Sequence, residues 1–272
     1  MIGSAYWIAA SRARESARDD RLFDDPLAAR LAGVRGVATM AASERASGGE
    51  NTFLPVRTRY FDDALLTAIA AGIDQVVLLG AGLDTRPFRL PLPAELTWFE
   101  VDRPDIFAAK EPVVTAEAAS CRRLTVPTDL SEDWPSALRA AGFRTERRTA
   151  WVAEGLLFYL EPDAVVALLI GTAQLSAAGS LFLADVMSEL VRTLPAMAAY
   201  RAYTAANGLA PPYGHDDPAA LLAATGWDVD HLTWPGAPDA NYGRFVRQDR
   251  SDAPRSGRAH LVTGRRPRLD LR

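Results

Sequence analysis

Glycines and acidic residues stand at the ends of four strand-like runs, the places where ligand chemistry collects in α/β proteins. Val76-Val77-Leu78-Leu79 runs straight into Gly80-Ala81-Gly82. An apolar run of strand length that stops at glycines predicts a strand buried on both faces. The tight turn after it lets backbone approach a ligand with no Cβ in the way. About twenty residues further on, a second run, Leu96–Val101, ends in Asp102, where a carboxylate can accept both hydroxyls of a ribose. A short third run, Arg122–Val126, leads to Pro127-Thr128-Asp129-Leu130-Ser131. Asp129 can accept there from an adenine amino group while Leu130 packs on the ring; helix capping by Asp129 or Ser131 is the competing use. The fourth, in Thr149–Leu160, ends at Glu154-Gly155. Together these residues predict a nucleoside cofactor.

Two positions say which nucleoside. A dinucleotide fingerprint needs a third glycine where the helix packs on the strand, and Thr85 stands there. Asp84 follows the glycines where a pyrophosphate would want amide donors. An acid beside the turn suits a ligand carrying an ammonium and a sulfonium, which is S-adenosylmethionine. Glu154, flanked by Val152, Ala153, Leu156 and Leu157, would be costly to bury unpaired. An ammonium partner or a partner arginine resolves that cost. A nicotinamide-dependent oxidoreductase is one rival reading. It is opposed by Thr85 and by the lack of a Tyr-x-x-x-Lys pair, since Lys110 is the only lysine. The other rival is a module that binds S-adenosylmethionine and transfers nothing.

Methyl transfer from a sulfonium needs orientation more than a covalent intermediate. A carboxylate acceptor needs no base at neutral pH, whereas a phenol benefits from one. Of His215, His231 and His260, only His215 lies in a predicted loop, beside Tyr213, and it is the candidate base. Tyr159, just past the fourth run, is the candidate for the acceptor pocket, with Tyr200, Tyr203 and Tyr213 as further lining. Tyr242, Arg244 and Phe245, in the connection 235–257, are where acceptor specificity could lie. No HExxH, paired cysteines or carboxylate-rich loop points to a metal. The lone Cys121 excludes an internal disulfide.

The segments LLGAGLDTRPFRL…FEVDRP, ESARDDRLFDDPLA, VRTRYFDD, PTDL and AEGLLFYL, with the ending AHLVTGRR, resemble the leucine carboxyl methyltransferase-like family. The likeness is to its bacterial branch of S-adenosylmethionine-dependent O-methyltransferases, and it covers most of the chain up to about Met187. The resemblance implies a class I methyltransferase (Rossmann-like) α/β fold. Its sheet has seven mostly parallel strands, with an N-terminal helical cover and an inserted helical lid after the fifth strand. It implies that Arg57 or Arg59 of the Arg-Thr-Arg motif pairs with the methionyl carboxylate, helped by Arg12 or Arg14. It also implies that Asp129 and Leu130 hold adenine. The acceptor is then a small molecule with a carboxyl or hydroxyl oxygen, in natural-product (polyketide-like) metabolism.

The elements that must position these residues follow from pattern. Residues 4–32 look helical with a break near Asp24-Asp25-Pro26, where Pro26 suits a first helical turn. Residues 33–52, rich in Gly, Ala and Ser, predict a mobile loop. Residues 55–72 predict an amphipathic helix closed by Gly72, with Tyr60, Ala64, Leu65, Ala68 and Ile69 on its core face. Helices are expected over 103–118, after Ser131, over 163–178, 188–209 and from Asp217-Pro218, and a fifth strand over 180–187. A last pair of strands, 227–234 and 258–264, should run antiparallel. At 272 residues with 49% apolar and 24% charged content the chain predicts one globular domain. Its parts are a cover (1–72), a cofactor core (73–187), a lid (188–225) and the last two strands (226–264). A net charge of −4 gives no footprint for nucleic acid. The absence of a long apolar run or a signal-like N-terminus predicts a cytoplasmic protein off the membrane. No oligomeric state follows from the sequence.

Overall fold

The first strand, β1 (Gln75–Leu79), is buried at all five positions, as an apolar run between two layers of helix must be. The structure, a computed structural model, describes residues 2–47, 49–193, 197–198, 201–202, 205, 212–244 and 259–268. It divides into two compact units, Met1–Phe143 and Arg144–Arg272.

In the first unit β1, β2 (Thr97–Asp102) and β3 (Arg122–Pro127) lie in the order β3-β2-β1, all parallel. The register pairs Leu79 with Val101 and Asp102 with Pro127, so the three strands end almost flush. Helices α1 (Ile2–Ser16), α2 (Ala28–Ser47) and α3 (Phe53–Ala70) precede the strands. The short α4 (Arg86–Arg89), α5 (Pro104–Val114) and α6 (Trp134–Ala140) connect or follow them. Each of these last three has proline in its first turn, where the missing N–H would have no partner anyway. The cap of α6 is Asp133, which accepts from Ser136 N, and not Asp129 or Ser131.

The loop expected over 33–52 is largely helix. Helix α2 runs through to Ser47, interrupted only at Gly33 (φ 54°, ψ −169°). Alanine is the strongest helix former, so an alanine-rich stretch with a few glycines is not loop-like by propensity. Gly36 has a packing reason: a Cβ there would collide with the Tyr6 carbonyl on α1. The glycine lets the two helices approach at backbone distance. Ala9, Ala10, Leu27, Leu31 and Ala32 then close a small core over Leu83 and Val114, which seats α1 and α2 beside the glycine turn.

In the second unit β4 (Thr149–Ala153), β5 (Leu181–Met187), β7 (Ala259–Arg265) and β6 (Asp228–Thr233) lie in the order β4-β5-β7-β6. The first two are parallel; β7 is antiparallel to both of its neighbours. The antiparallel last pair is therefore as expected. The described residues of this unit include helices α7 (Pro162–Gln174), α8 (Glu189–Thr193) and α9 (Pro218–Ala224). Asp217 caps α9 by accepting from Ala220 N. Trp227, fully buried, packs on Phe182 and donates from Nε1 to the Leu169 carbonyl (3.2 Å). Among the described residues no helix is long and apolar enough to cross a membrane.

Two clusters of buried charge in the first unit are matched within themselves. On α3, Asp62 accepts at Oδ1 from Arg86 Nε (2.7 Å) and Arg89 Nη2 (2.8 Å), and at Oδ2 from Arg89 Nη1 (2.7 Å). Under β2, Glu100 accepts from Lys110 Nζ (2.7 Å) and is clamped by Arg123 Nε (3.0 Å) and Nη2 (2.8 Å). The chain's one lysine thus ties α5 to the sheet. Removing one partner of such a buried pair costs about 3–5 kcal/mol, because the other charge is left without compensation. Asp62→Ala should therefore lower unfolding stability by about that amount in a urea titration. A loss below about 1 kcal/mol, the range of exposed pairs, would mean that this cluster does not hold the fold together.

Candidate functional site

The flush strand ends gather the predicted residues of the first unit along one edge. Gly80 (φ 63°) and Gly82 (φ 52°) both adopt left-handed backbone, which a residue with a Cβ enters only at a cost. Ala81 N donates to the Val101 carbonyl (3.1 Å), holding the turn against the end of β2. Beside it, Asp102 Oδ2 accepts from Gly82 N (2.7 Å) and Oδ1 from Arg103 N (2.7 Å). Thr128 N donates to the Asp102 carbonyl (2.9 Å), which sets Asp129 one strand further along. With strands about 4.8 Å apart, glycine turn, Asp102 and Asp129 span the width of a ribose and its base.

Each carboxylate oxygen has two lone pairs. Asp102 uses one on each oxygen for backbone, so both retain one for a ligand. Burial raises its pKa, partly offset by the Gly82 and Arg103 amides. Hydroxyl donors from a ligand would relieve that desolvation. Asp129 accepts at Oδ1 from Ser131 N (2.9 Å) and Oγ (2.7 Å); these bonds lower its pKa and leave Oδ2 to accept from an amino group. Leu130 next to it is half-buried. A methyl group built on Gly82 would lie no closer than 3.7 Å to the Ala5 methyl and 3.9 Å to the Gly80 carbonyl. The Ala5 methyl is thus within van der Waals reach of the turn, and the edge beside it offers an acid for vicinal hydroxyls. Its acceptors match a nucleoside with free ribose hydroxyls.

The arginines separate by what already holds them. Arg59 donates to Asp63 (2.9 Å) and to the Leu22 carbonyl (2.7 Å). Arg57 is buried on the same helix with its guanidinium 5.4 Å from the Phe53 ring centre. Arg14 pairs with Glu44 on α2 (2.5 Å). Arg12 is buried against Asp25 (2.7 Å). The expectation for Asp84 needs correction. Its Oδ1 accepts from Arg86 N (2.8 Å) and its Oδ2 from Arg86 Nη1 (2.6 Å). Burial alone would raise its pKa, but Arg86, then Arg12 and Arg89, bring it below the usual value. Asp84 thus already pairs with a cation of the protein itself.

In the second unit Glu154 follows the end of β4 and is half-buried. The Gly155 amide beside it (φ 63°) donates to Asp185 Oδ1 on β5 (2.6 Å). Tyr159 closes a 3-10 turn (Leu157–Tyr159), its ring edge-on to Phe158. The segment 213–217 returns to this place: Tyr213 N donates to the Phe158 carbonyl (3.0 Å) and His215 N to the Met187 carbonyl (2.8 Å). Burial, with Glu189 nearby, raises the Tyr213 pKa. His215 Nδ1 accepts from Asp217 N (3.1 Å), which assigns the neutral ring a proton on Nε2. In that form Nε2 donates and cannot take a proton. Tyr200, Tyr203 and Phe245 lie outside the described residues. His231 sits on β6 against Asp239 (2.8 Å), and His260 is buried on β7. Among the described residues no cluster of His, Cys, Asp or Glu could hold a metal ion.

Sequence reasoning missed Asp62 and Asp185 and placed Asp25 only at a helix start, and these three acids position the turns. The available signal was an acid on an otherwise buried face: Asp62 falls between Thr58 and Leu65 at helical spacing, and Asp185 inside Leu181–Val186.

Comparison with known proteins places this architecture. A solved structure described as a putative methyltransferase from Thermobifida fusca YX superposes with a TM-score of 0.61 at 18% identity, covering 87% of this chain and 90% of that one. The fold is the class I methyltransferase fold, a seven-stranded mixed sheet with helices. The leucine carboxyl methyltransferase family matches residues 5–173, and the chain belongs to that family. Two curated relatives carry the name putative S-adenosyl-L-methionine-dependent methyltransferase. One, from Frankia alni, is 40% identical over 254 residues, 89% of this chain and 87% of the relative. The other, from a Parafrankia species, is 46% identical over 205 residues, 70% of this chain and 65% of the relative.

The raised Asp102 pKa gives a signed prediction for nucleoside binding. Ligand hydroxyls bind the carboxylate form, so affinity for S-adenosylhomocysteine should fall as pH drops through the Asp102 pKa. That fall should begin at a higher pH than for an ordinary aspartate, 3.8. Asp102→Ala should bind about one to two decades more weakly and lose this pH dependence, as read by calorimetry. An unchanged dissociation constant in a folded variant would remove Asp102 from the site.

Proposed function

We propose that the chain uses S-adenosyl-L-methionine to methylate an oxygen of a small molecule, with a carboxylate as the preferred acceptor. The observation that carries the cofactor half is the Gly82–Asp102 pair at the flush strand ends, continued by Asp129. Asp102 would hold the ribose, Asp129 and Leu130 the adenine, and Gly80 and Gly82 would let the backbone close on the cofactor. Arg57, the buried member of the Arg-Thr-Arg motif, is favoured over the half-buried Arg59 for the methionyl carboxylate. Glu154 is proposed to take the amino group. When bound, S-adenosyl-L-methionine supplies an electrophilic methyl group on a sulfonium.

The acceptor half rests on the second unit. Tyr159 and Tyr213 offer aromatic bodies with hydroxyl tips, which suit an apolar molecule with one oxygen to orient. The Nε2–H form of His215 favours an acceptor that needs no base, since an ionised carboxyl is already nucleophilic at neutral pH. The family's name, which describes a carboxyl acceptor, points the same way. The relatives' shared name supports the donor and is silent on the acceptor. A partly apolar acid of the polyketide-like kind, met in the cytoplasm, is the acceptor class proposed.

Acceptor screening with methyl-labelled donor tests this reading. With a carboxylic acid as acceptor, His215→Ala should keep turnover within a few-fold across neutral pH and yield an ester. A loss on the order of 10²–10⁴, with an inflection at the histidine pKa removed, would instead make His215 a general base acting on a hydroxyl. Label on nitrogen or carbon would sink the O-methyl assignment.

A further inference from the structure

Strand β7 ends on a run of cations, Arg265-Arg266-Pro267-Arg268, and strand alternation sends successive side chains to opposite faces. Arg265 is paired: its Nε and Nη2 donate to Asp230 on β6 (3.0 and 2.9 Å). Arg266 is placed by backbone rather than by an acid. Its N donates to the Ser180 carbonyl (2.8 Å), and Gly179 N donates to the Arg266 carbonyl (2.9 Å). Its Nη1 donates to the Gly226 carbonyl (2.8 Å). Gly226 has left-handed backbone (φ 92°), and a Cβ there would stand 3.0 Å from that Nη1 and 3.4 Å from the Ala173 methyl. The glycine leaves the guanidinium its lane.

The half-buried Arg266 spends one N–H of its fork on that carbonyl. The exposed Arg268 makes no side-chain hydrogen bond or ion pair among the described residues. Arg12, Arg86 and Arg123 each have a carboxylate, from Asp25, Asp62 and Glu100. Here two cations share a cavity of about 400 Å³ lined by Ser176, Ala178, Arg266, Pro267 and Arg268, with no acid in the lining. That is the size of a small-molecule site, about 300–1,000 Å³. Ser176 is already engaged: its Oγ accepts from Trp151 Nε1 (2.7 Å) and donates to the Thr172 carbonyl (2.7 Å). The register sets Arg265 opposite Leu181, where β5 begins, and Ala259 opposite Met187, where it ends. The cavity is therefore separated from Asp185 and the Glu154 turn by about 20 Å of strand.

We propose that this cavity is a second ligand site, for an organic anion. A small apolar body lies against Ala178 and Pro267, and its carboxylate or phosphate group is held by Arg266 and Arg268. A guanidinium fork matches either oxyanion, and one already positioned has less freedom to lose on binding. Arg266 is the fixed half of the clamp, and Arg268, with no bond to break, is the half that adjusts. The site stands apart from the edge where methyl transfer is placed, so it does not depend on the cofactor reading.

Amide-resolved NMR titration of the full chain tests the site, with benzoate and phenyl phosphate as probes and benzamide as the uncharged control. An anion should shift the Ser176 and Ala178 amides saturably, and benzamide should leave them unmoved. A response to benzoate alone assigns a carboxylate ligand, and a response to phenyl phosphate alone assigns a phosphate. Arg268→Gln should weaken binding about tenfold or more, as expected for losing a charge-assisted hydrogen bond. Arg266→Gln should weaken it at least as much, and Arg268→Gln decides the matter if that variant fails to fold. S-adenosylhomocysteine should displace neither probe. No shift at these amides with millimolar probe, or equal affinity in Arg268→Gln, would overturn the proposal. So would an equal response to benzamide, or displacement by S-adenosylhomocysteine.

Discussion

A carboxylate taken out of water must find donors, and in the first unit that requirement ties the helices to the residues after the glycine turn. Asp25, from the segment between α1 and α2, takes Thr85. Asp62, from α3, takes Arg86 and Arg89. Asp84 takes Arg86 from the other side. Three acids and three arginines, counting Arg12, balance around residues 83–89, so none of these charges is left for solvent to satisfy. The Leu-Asp-Thr-Arg-Pro-Phe-Arg sequence after the glycines is in this light an anchoring device. It fixes the backbone on which Gly80 and Gly82 adopt their left-handed conformations.

A turn so fixed can present a second carboxylate with confidence of position. The parallel register brings Asp102 beside Gly82 and puts Asp129 one strand further, each acid with one set of lone pairs bonded to protein. Prior bonding to backbone amides matters because it removes the cost of orienting the side chains when a ligand arrives. The raised pKa of Asp102 and the lowered pKa of Asp129 have opposite causes. Burial dominates the first, and the Ser131 amide and hydroxyl the second. The same principle recurs in the second unit, where Asp185 holds the Gly155 amide and thereby the turn that carries Glu154.

The strands were legible because their signal is strong: apolar runs stopped by Gly80, Asp102 and Glu154 leave few alternatives, and the boundaries moved by only a residue or so. Helix α2 was misread, since composition alone does not separate glycines that break a helix from glycines that let one pack closely, as Gly36 does against Tyr6. The acids along the strand ends were legible from position. Their partners were not, because Asp25 with Thr85 and Asp62 with Arg86 are brought together by tertiary packing across stretches of sequence that carry no period. Asp84 was misjudged for the same reason: nothing local says that Arg86 folds back onto it. His215 could be named as a base from its loop, but its ring form depends on the Asp217 amide, which only a turn geometry reveals.

The central claim is that Asp102, held by Gly82, accepts the hydroxyls of a ribose. Calorimetry comparing S-adenosylhomocysteine with its 2′,3′-dideoxy analogue on the unmodified protein tests it most directly, because nothing in the fold is altered. The account predicts that the analogue binds more weakly by roughly 1.5–3 kcal/mol, about one to two decades. Equal dissociation constants for the two ligands would contradict it.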